Sequence, residues 1–197
     1  LIWLVLGRRE SAVVLLATKA YQSLAAGPWL AALCRPGTVV AVLQNGIDQV
    51  ERVGPLVPDA EVIPAVVLLA ADRVGPDTIH QASAAALDVP VSPGGRIVAE
   101  LYRDTSMRVR VLDDFRTAAW NKLLINAVVG AMGALTLRDI SVMSAEDLRA
   151  AALPLAEEVA AVGRAEGAAF GDDAASRMLD VMATRAPGHL SSIAADR

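Results

Sequence analysis

The chain has 197 residues, of which 54% are hydrophobic and 20% charged, and a formal net charge of −4. That length allows one large or two small domains with a real core, and the composition excludes a disordered chain. No basic stripe of the kind an avid nucleic-acid binder needs is present; Arg108 and Arg110 alternate within a strand-like pattern instead.

Two apolar runs open the chain, residues 2–6 and 12–17. Both are short and rich in Val, Leu and Ile without alternation, which suits parallel strands covered on both faces. Residues 21–34 have helical spacing and stop before Pro36-Gly37. Cys34, the single cysteine, closes that segment, cannot form an internal disulfide, and is expected to pack rather than react. A buried strand over 38–43 then ends in Gln44-Asn45-Gly46, followed by a short helix over 47–53 and a strand over 62–69. This order predicts a right-handed parallel α/β sheet.

Residues 78–90 and 97–111 are joined by Ser92-Pro93-Gly94-Gly95, with 88–90 and 108–111 expected as edge strands that close the sheet. From Asp113-Asp114 onward the pattern is helical. Either aspartate can cap a long helix to about residue 135, and helices are also expected over 145–166, over 173–185 and from 191. The domain boundary therefore falls near Asp113, separating an α/β segment over 1–113 from a helical one over 114–197.

The first run ends in Gly7, as a Rossmann unit begins, yet Arg8-Arg9-Glu10 follows in place of G-x-G-x-x-G. Too few residues separate the first two runs for a crossover helix. The favoured expectation is that a segment with the phosphate loop, first helix and second strand is missing there, which makes Gly7 the first fingerprint glycine; the alternative is a tight hairpin. Apolar stretches such as residues 62–71 are too short to span a bilayer, and the opening LIWLVLG is too short for a secretory signal. No membrane or nucleic-acid partner and no metal site is expected, and the location expected is cytoplasmic.

Four polar clusters carry the candidate chemistry. Lys122 and Asn126 share a face of a helix with no charge from 123 to 137, where a buried lysine is costly unless something uses it. The same spacing fits a lysine snorkelling near the helix start. Thr18-Lys19-Ala20-Tyr21-Gln22 and Gln44-Asn45-Gly46 each follow a buried strand, where open α/β sheets bind ligands. An ordinary helix start fits the first as well, and a simple Asn-Gly turn is the favoured reading of the second taken alone. His189-Leu190-Ser191-Ser192 offers paired hydroxyls that a helix cap also explains.

Together with the helix at 157–167, the blocks ATKAYQ (17–22), LQNGID (43–48), DDFRTAAWNKLLINAVVGAMGALT (113–136) and HLSSIAADR (189–197) resemble ketopantoate reductase, in order and at similar separations. The resemblance implies a Rossmann-type N-terminal domain, incomplete here, and an all-α C-terminal domain like that of 6-phosphogluconate dehydrogenase. It implies NADP-dependent reduction of 2-dehydropantoate or a similar 2-oxo acid by a homodimer. Lys122 matches the lysine that gives a proton to the ketone oxygen. Asn45, Asn126 and Ser192 match substrate-binding residues; Gly7, Lys19, Asn45 and, through its backbone, Ala71 match cofactor contacts.

Such chemistry suits these residue types. Hydride comes from the cofactor, while the protein orients the reactants and stabilises charge on the carbonyl oxygen. A desolvated lysine serves as both charge and acid near neutral pH. Gly130 stands where many relatives carry a second asparagine, so a related reductase of another substrate stays open. A non-catalytic dinucleotide-binding paralogue is the reading from a different class.

Overall fold

The computed structural model describes residues 3–6, 13–139 and 143–184. The chain divides into two compact units, Leu1–Phe115 and Arg116–Arg197.

In the first unit, β1 (Trp3–Leu6) and β2 (Val13–Leu16) lead to α1 (Gly27–Leu33), β3 (Val39–Val42), α2 (Gln49–Val53) and β4 (Glu61–Pro64). Strands β1 to β4 form one sheet in that order. β2, β3 and β4 are parallel, with Val13 opposite Val39 and Val39 opposite Glu61. Their alternate residues bury both faces: Val13, Leu15, Val39 and Ala41 belong to one apolar cluster, Val14, Leu16, Val40 and Val42 to the other, which Leu30 of α1 and Val53 of α2 complete. A strand's two-residue period makes a continuous apolar run serve two cores at once.

β1 departs from the expected parallel order. It runs antiparallel to β2, with Leu6 opposite Val13. A connection this short permits an antiparallel return but not a crossover, and the antiparallel return is the pairing seen between β1 and β2. Gly7 lies outside the described residues. The segment expected as one helix over 21–34 instead begins with two 3-10 turns, Ala20–Gln22 and Leu24–Ala26, and turns α-helical from Gly27, where Pro28 supplies a ready-made first turn.

The strand expected over 62–69 is split. β4 ends at Pro64, and β5 (Val66–Leu68) leaves for a second sheet. Proline has no N–H for a ladder, which suits a strand end. After the hairpin β6 (Ala71–Arg73) and β7 (Ile79–Gln81), the chain forms β8 (Ala86–Pro90), α3 (Pro93–Leu101) and β9 (Arg108–Leu112). The second sheet has the order β5-β8-β9, so β8 is central and not an edge strand. Helix α3 was not anticipated, because its start, Pro93-Gly94-Gly95, reads as a turn. Ser92 caps it by accepting from the Gly95 N–H at 2.9 Å, and Val98 enters the core shared with Leu87 and Val89.

The second unit contains α4 (Phe115–Thr136), α5 (Glu146–Ala165) and α6 (Ala174–Ala183). Leu124, Val128 and Met132 of α4, Ala152 and Ala156 of α5, and Met178, Leu179 and Met182 of α6 share one core. The small residues Ala152, Ala156, Ala160 and Gly163 give α5 a narrow buried face. Helix α4 is long and apolar enough to cross a bilayer, unlike the stretches considered from sequence, but its buried stripe is occupied by this packed core. Nor is it buried all round: Leu135 is exposed, while Leu123, Ile125 and Ala127 are half-buried.

Candidate active site

Within the first unit, the residues that follow β2 and β3 are drawn together by one side chain. Leu43 extends the ladder, its N–H donating to the Leu16 carbonyl at 2.9 Å, so Gln44 is the first residue beyond paired strands. Gln44 is only 4% exposed. Its Nε2 donates to Thr18 Oγ1 at 3.0 Å and, at 3.5 Å, to the Lys19 carbonyl. Its Oε1 accepts from Ser23 Oγ and from Arg52 Nη2, both at 3.1 Å. Lys19 and Asn45 flank this buried tie and are themselves exposed. The cluster stands at the carboxyl ends of adjacent parallel strands, where open α/β sheets hold ligands.

The Asn45-Gly46 turn is held from behind. Gln49 Nε2 donates to the Gln44 carbonyl at 3.1 Å. Gly46 has φ of +114°, and a Cβ there would come within 2.9 Å of Asp48 Oδ1. Arg52 pairs with Asp48 one turn away, and that hydrogen bond holds the Asp48 carboxyl below its ordinary range. Lys19 is fixed on both sides of its own peptide: its N–H donates to Gln22 Oε1 at 3.2 Å, and its carbonyl accepts from the Gln22 N–H at 2.9 Å. Ala71 opens β6, an exposed strand in the separate two-stranded sheet.

In the second unit, Lys122 and Asn126 lie one turn apart on α4, both half-buried. The helical turn before them is anchored. Thr117 Oγ1 accepts from the Ala169 N–H at 2.7 Å, and Arg116 donates to the Glu166 carbonyl. Trp120 is buried against Gly163 of α5, where an added Cβ would lie 3.1 Å from the Trp120 ring and 2.7 Å from that of Phe170. Gly130, one turn beyond Asn126, is buried. Ser192 lies outside the described residues. Sequence reasoning placed Gln44 in a candidate cluster without giving it a role and passed over Arg52; the available signal was a glutamine set directly against a wholly apolar strand.

The family described as Ketopantoate reductase PanE/ApbA matches residues 7–122, and its C-terminal counterpart matches residues 114–197. A 2-dehydropantoate 2-reductase of Mycobacterium tuberculosis (strain ATCC 25618 / H37Rv) is 40% identical over 185 residues, covering 94% of this chain and 62% of its own. One from Caulobacter vibrioides is 36% identical over 184 residues, covering 93% and 63%. Among solved structures, a PanE/ApbA family ketopantoate reductase from Ralstonia eutropha JMP134 superposes with a TM-score of 0.82 at 27% identity, over 93% of this chain and 61% of that one. A dimeric ketopantoate reductase from Staphylococcus aureus gives 0.85 at 22% identity, over 94% and 64%, and shows the shared fold. The chain thus spans less than two thirds of the length of these relatives. It belongs to the ketopantoate reductase family.

Proposed function

We propose that the protein containing this chain reduces 2-dehydropantoate, or a closely similar 2-oxo acid, to the 2-hydroxy acid with NADPH. The observation that carries this reading is the 40% identity to a 2-dehydropantoate 2-reductase over nearly the whole chain. Lys19 and Asn45, exposed at the ends of β2 and β3, offer an ammonium and an amide suited to phosphate and ribose oxygens. Gly7 and the Ala71 backbone complete the cofactor side of the proposal. When bound, the nicotinamide supplies the hydride. Lys122 supplies the proton to the ketone oxygen and stabilises the charge gathering there. Asn45, Asn126 and Ser192 hold the oxo acid. The unit of function is a homodimer in the cytoplasm, and the exposed Leu135 and Leu137 at the end of α4 are apolar surface that an assembly could cover.

A second reading, reduction of a different 2-oxo acid, is favoured by Gly130, which offers no side-chain donor one turn beyond Asn126. NADPH oxidation by the full-length protein, followed by the loss of nicotinamide absorbance with 2-dehydropantoate and a panel of 2-oxo acids, tests both. The first reading predicts the highest kcat/KM for 2-dehydropantoate; a higher value for another acid moves the assignment to it. NADPH binding with no turnover of any acid contradicts both and supports a non-catalytic paralogue.

A further inference from the structure

We propose that Gln44 is a positioning residue that holds Lys19 and Asn45 in register with each other; this rests on the functional reading above. The two residues belong to loops that follow different strands, so beyond the β2–β3 ladder it is contacts between the loops that set their separation. The Gln44 side chain does so directly. Its amide N–H group binds the first loop at Thr18 and at the Lys19 carbonyl, while its backbone carries the second loop into Asn45. A glutamine amide has distinct donor and acceptor ends, and both are used: Ser23 and Arg52 serve the acceptor. That fixes which way the amide faces, and with it the orientation of the tie.

The surroundings show that this arrangement is held at some cost. Gly46 supplies the positive φ that the turn takes, and beside it Arg52 Nε is buried without a hydrogen-bond partner. A buried polar atom without a partner loses its hydration and gains no bond in exchange. A buried polar atom left unsatisfied beside this turn, among the described residues, is the pattern of a site held for use. A buried glutamine serving packing alone would stabilise the fold without any particular link to the residues that meet a cofactor.

A double-mutant cycle on NADPH affinity in the full-length protein separates the two roles. Gln44→Met keeps the length of the side chain and removes its hydrogen bonds; NADPH affinity should fall on the order of tenfold. In a Lys19→Ala/Asn45→Ala background the same substitution should cost less than about threefold, because the groups it aligns are gone. Additive losses, or wild-type affinity in Gln44→Met, overturn the proposal. If Gln44→Met does not fold, Gln44→Glu retains the acceptor toward Ser23 and Arg52 and loses the donor toward Lys19. It should then show the same non-additive loss with a melting temperature near that of the wild type. Wild-type protein that fails to bind NADPH overturns the functional reading and this inference with it; binding with additive losses overturns the inference alone.

Discussion

Asp88 of β8 and Arg110 of β9 face each other across parallel strands and are joined through both carboxylate oxygens, Nε to Oδ1 and Nη2 to Oδ2, each at 2.6 Å. The Asp88 side chain is 2% exposed and that of Arg110 48%. Removing the arginine leaves a buried carboxylate with neither of these donors, the costly half of such a pair. Partial exposure of Arg110 moderates this, so Arg110→Ala should destabilise the protein by about 2 kcal/mol. Denaturant midpoints of Arg110→Ala and of Asp88→Leu/Arg110→Ala check it: the double variant should be the more stable of the two. A single variant as stable as wild type would show that the pair contributes nothing.

Gly46 should not tolerate a side chain. Its φ of +114° and the 2.9 Å approach of a Cβ to Asp48 Oδ1 both oppose alanine. Gly46→Ala should cost about 1–3 kcal/mol of stability and weaken NADPH binding by displacing Asn45. Calorimetry alongside a nucleotide titration reads both. Retention of both wild-type values would mean the turn adapts without loss.

Gly163→Ala sets two effects against each other. Alanine gains about 1 kcal/mol of helix propensity, while its Cβ would press on Phe170 at 2.7 Å and Trp120 at 3.1 Å. Overpacking against two rings costs about 1–3 kcal/mol, so the melting temperature should fall. Trp120 is two residues from Lys122, so kcat should fall too, and tryptophan emission should shift. A higher melting temperature with unchanged emission would show that the rings move aside freely.

The fold was legible where one run of sequence answers to one environment. VVLL at 13–16 and VVAV at 39–42 are apolar throughout because both faces of β2 and β3 are buried. It was illegible where a residue's fate depends on a distant partner. Asp88 and Pro90 look like edge residues, yet β8 is central because Arg110 satisfies the carboxylate. α3 hid behind its own glycines, which pack closely: a Cβ on Gly95 would lie 2.1 Å from the Pro90 carbonyl oxygen. The same distinction holds at the candidate site. Lys19, Asn45 and Lys122 stand out within their own segments. The Gln44 tie to Thr18 joins residues 26 apart, and only the pairing of β2 with β3 brings them together.

The central claim is that Lys122 delivers the proton. It is tested most directly by kcat for NADPH oxidation with 2-dehydropantoate in full-length Lys122→Ala, with folding verified by its melting temperature. General-acid assistance contributes roughly 10²–10⁴-fold, and kcat should fall by that order while NADPH binding is retained. An unchanged kcat in a folded variant would contradict the account.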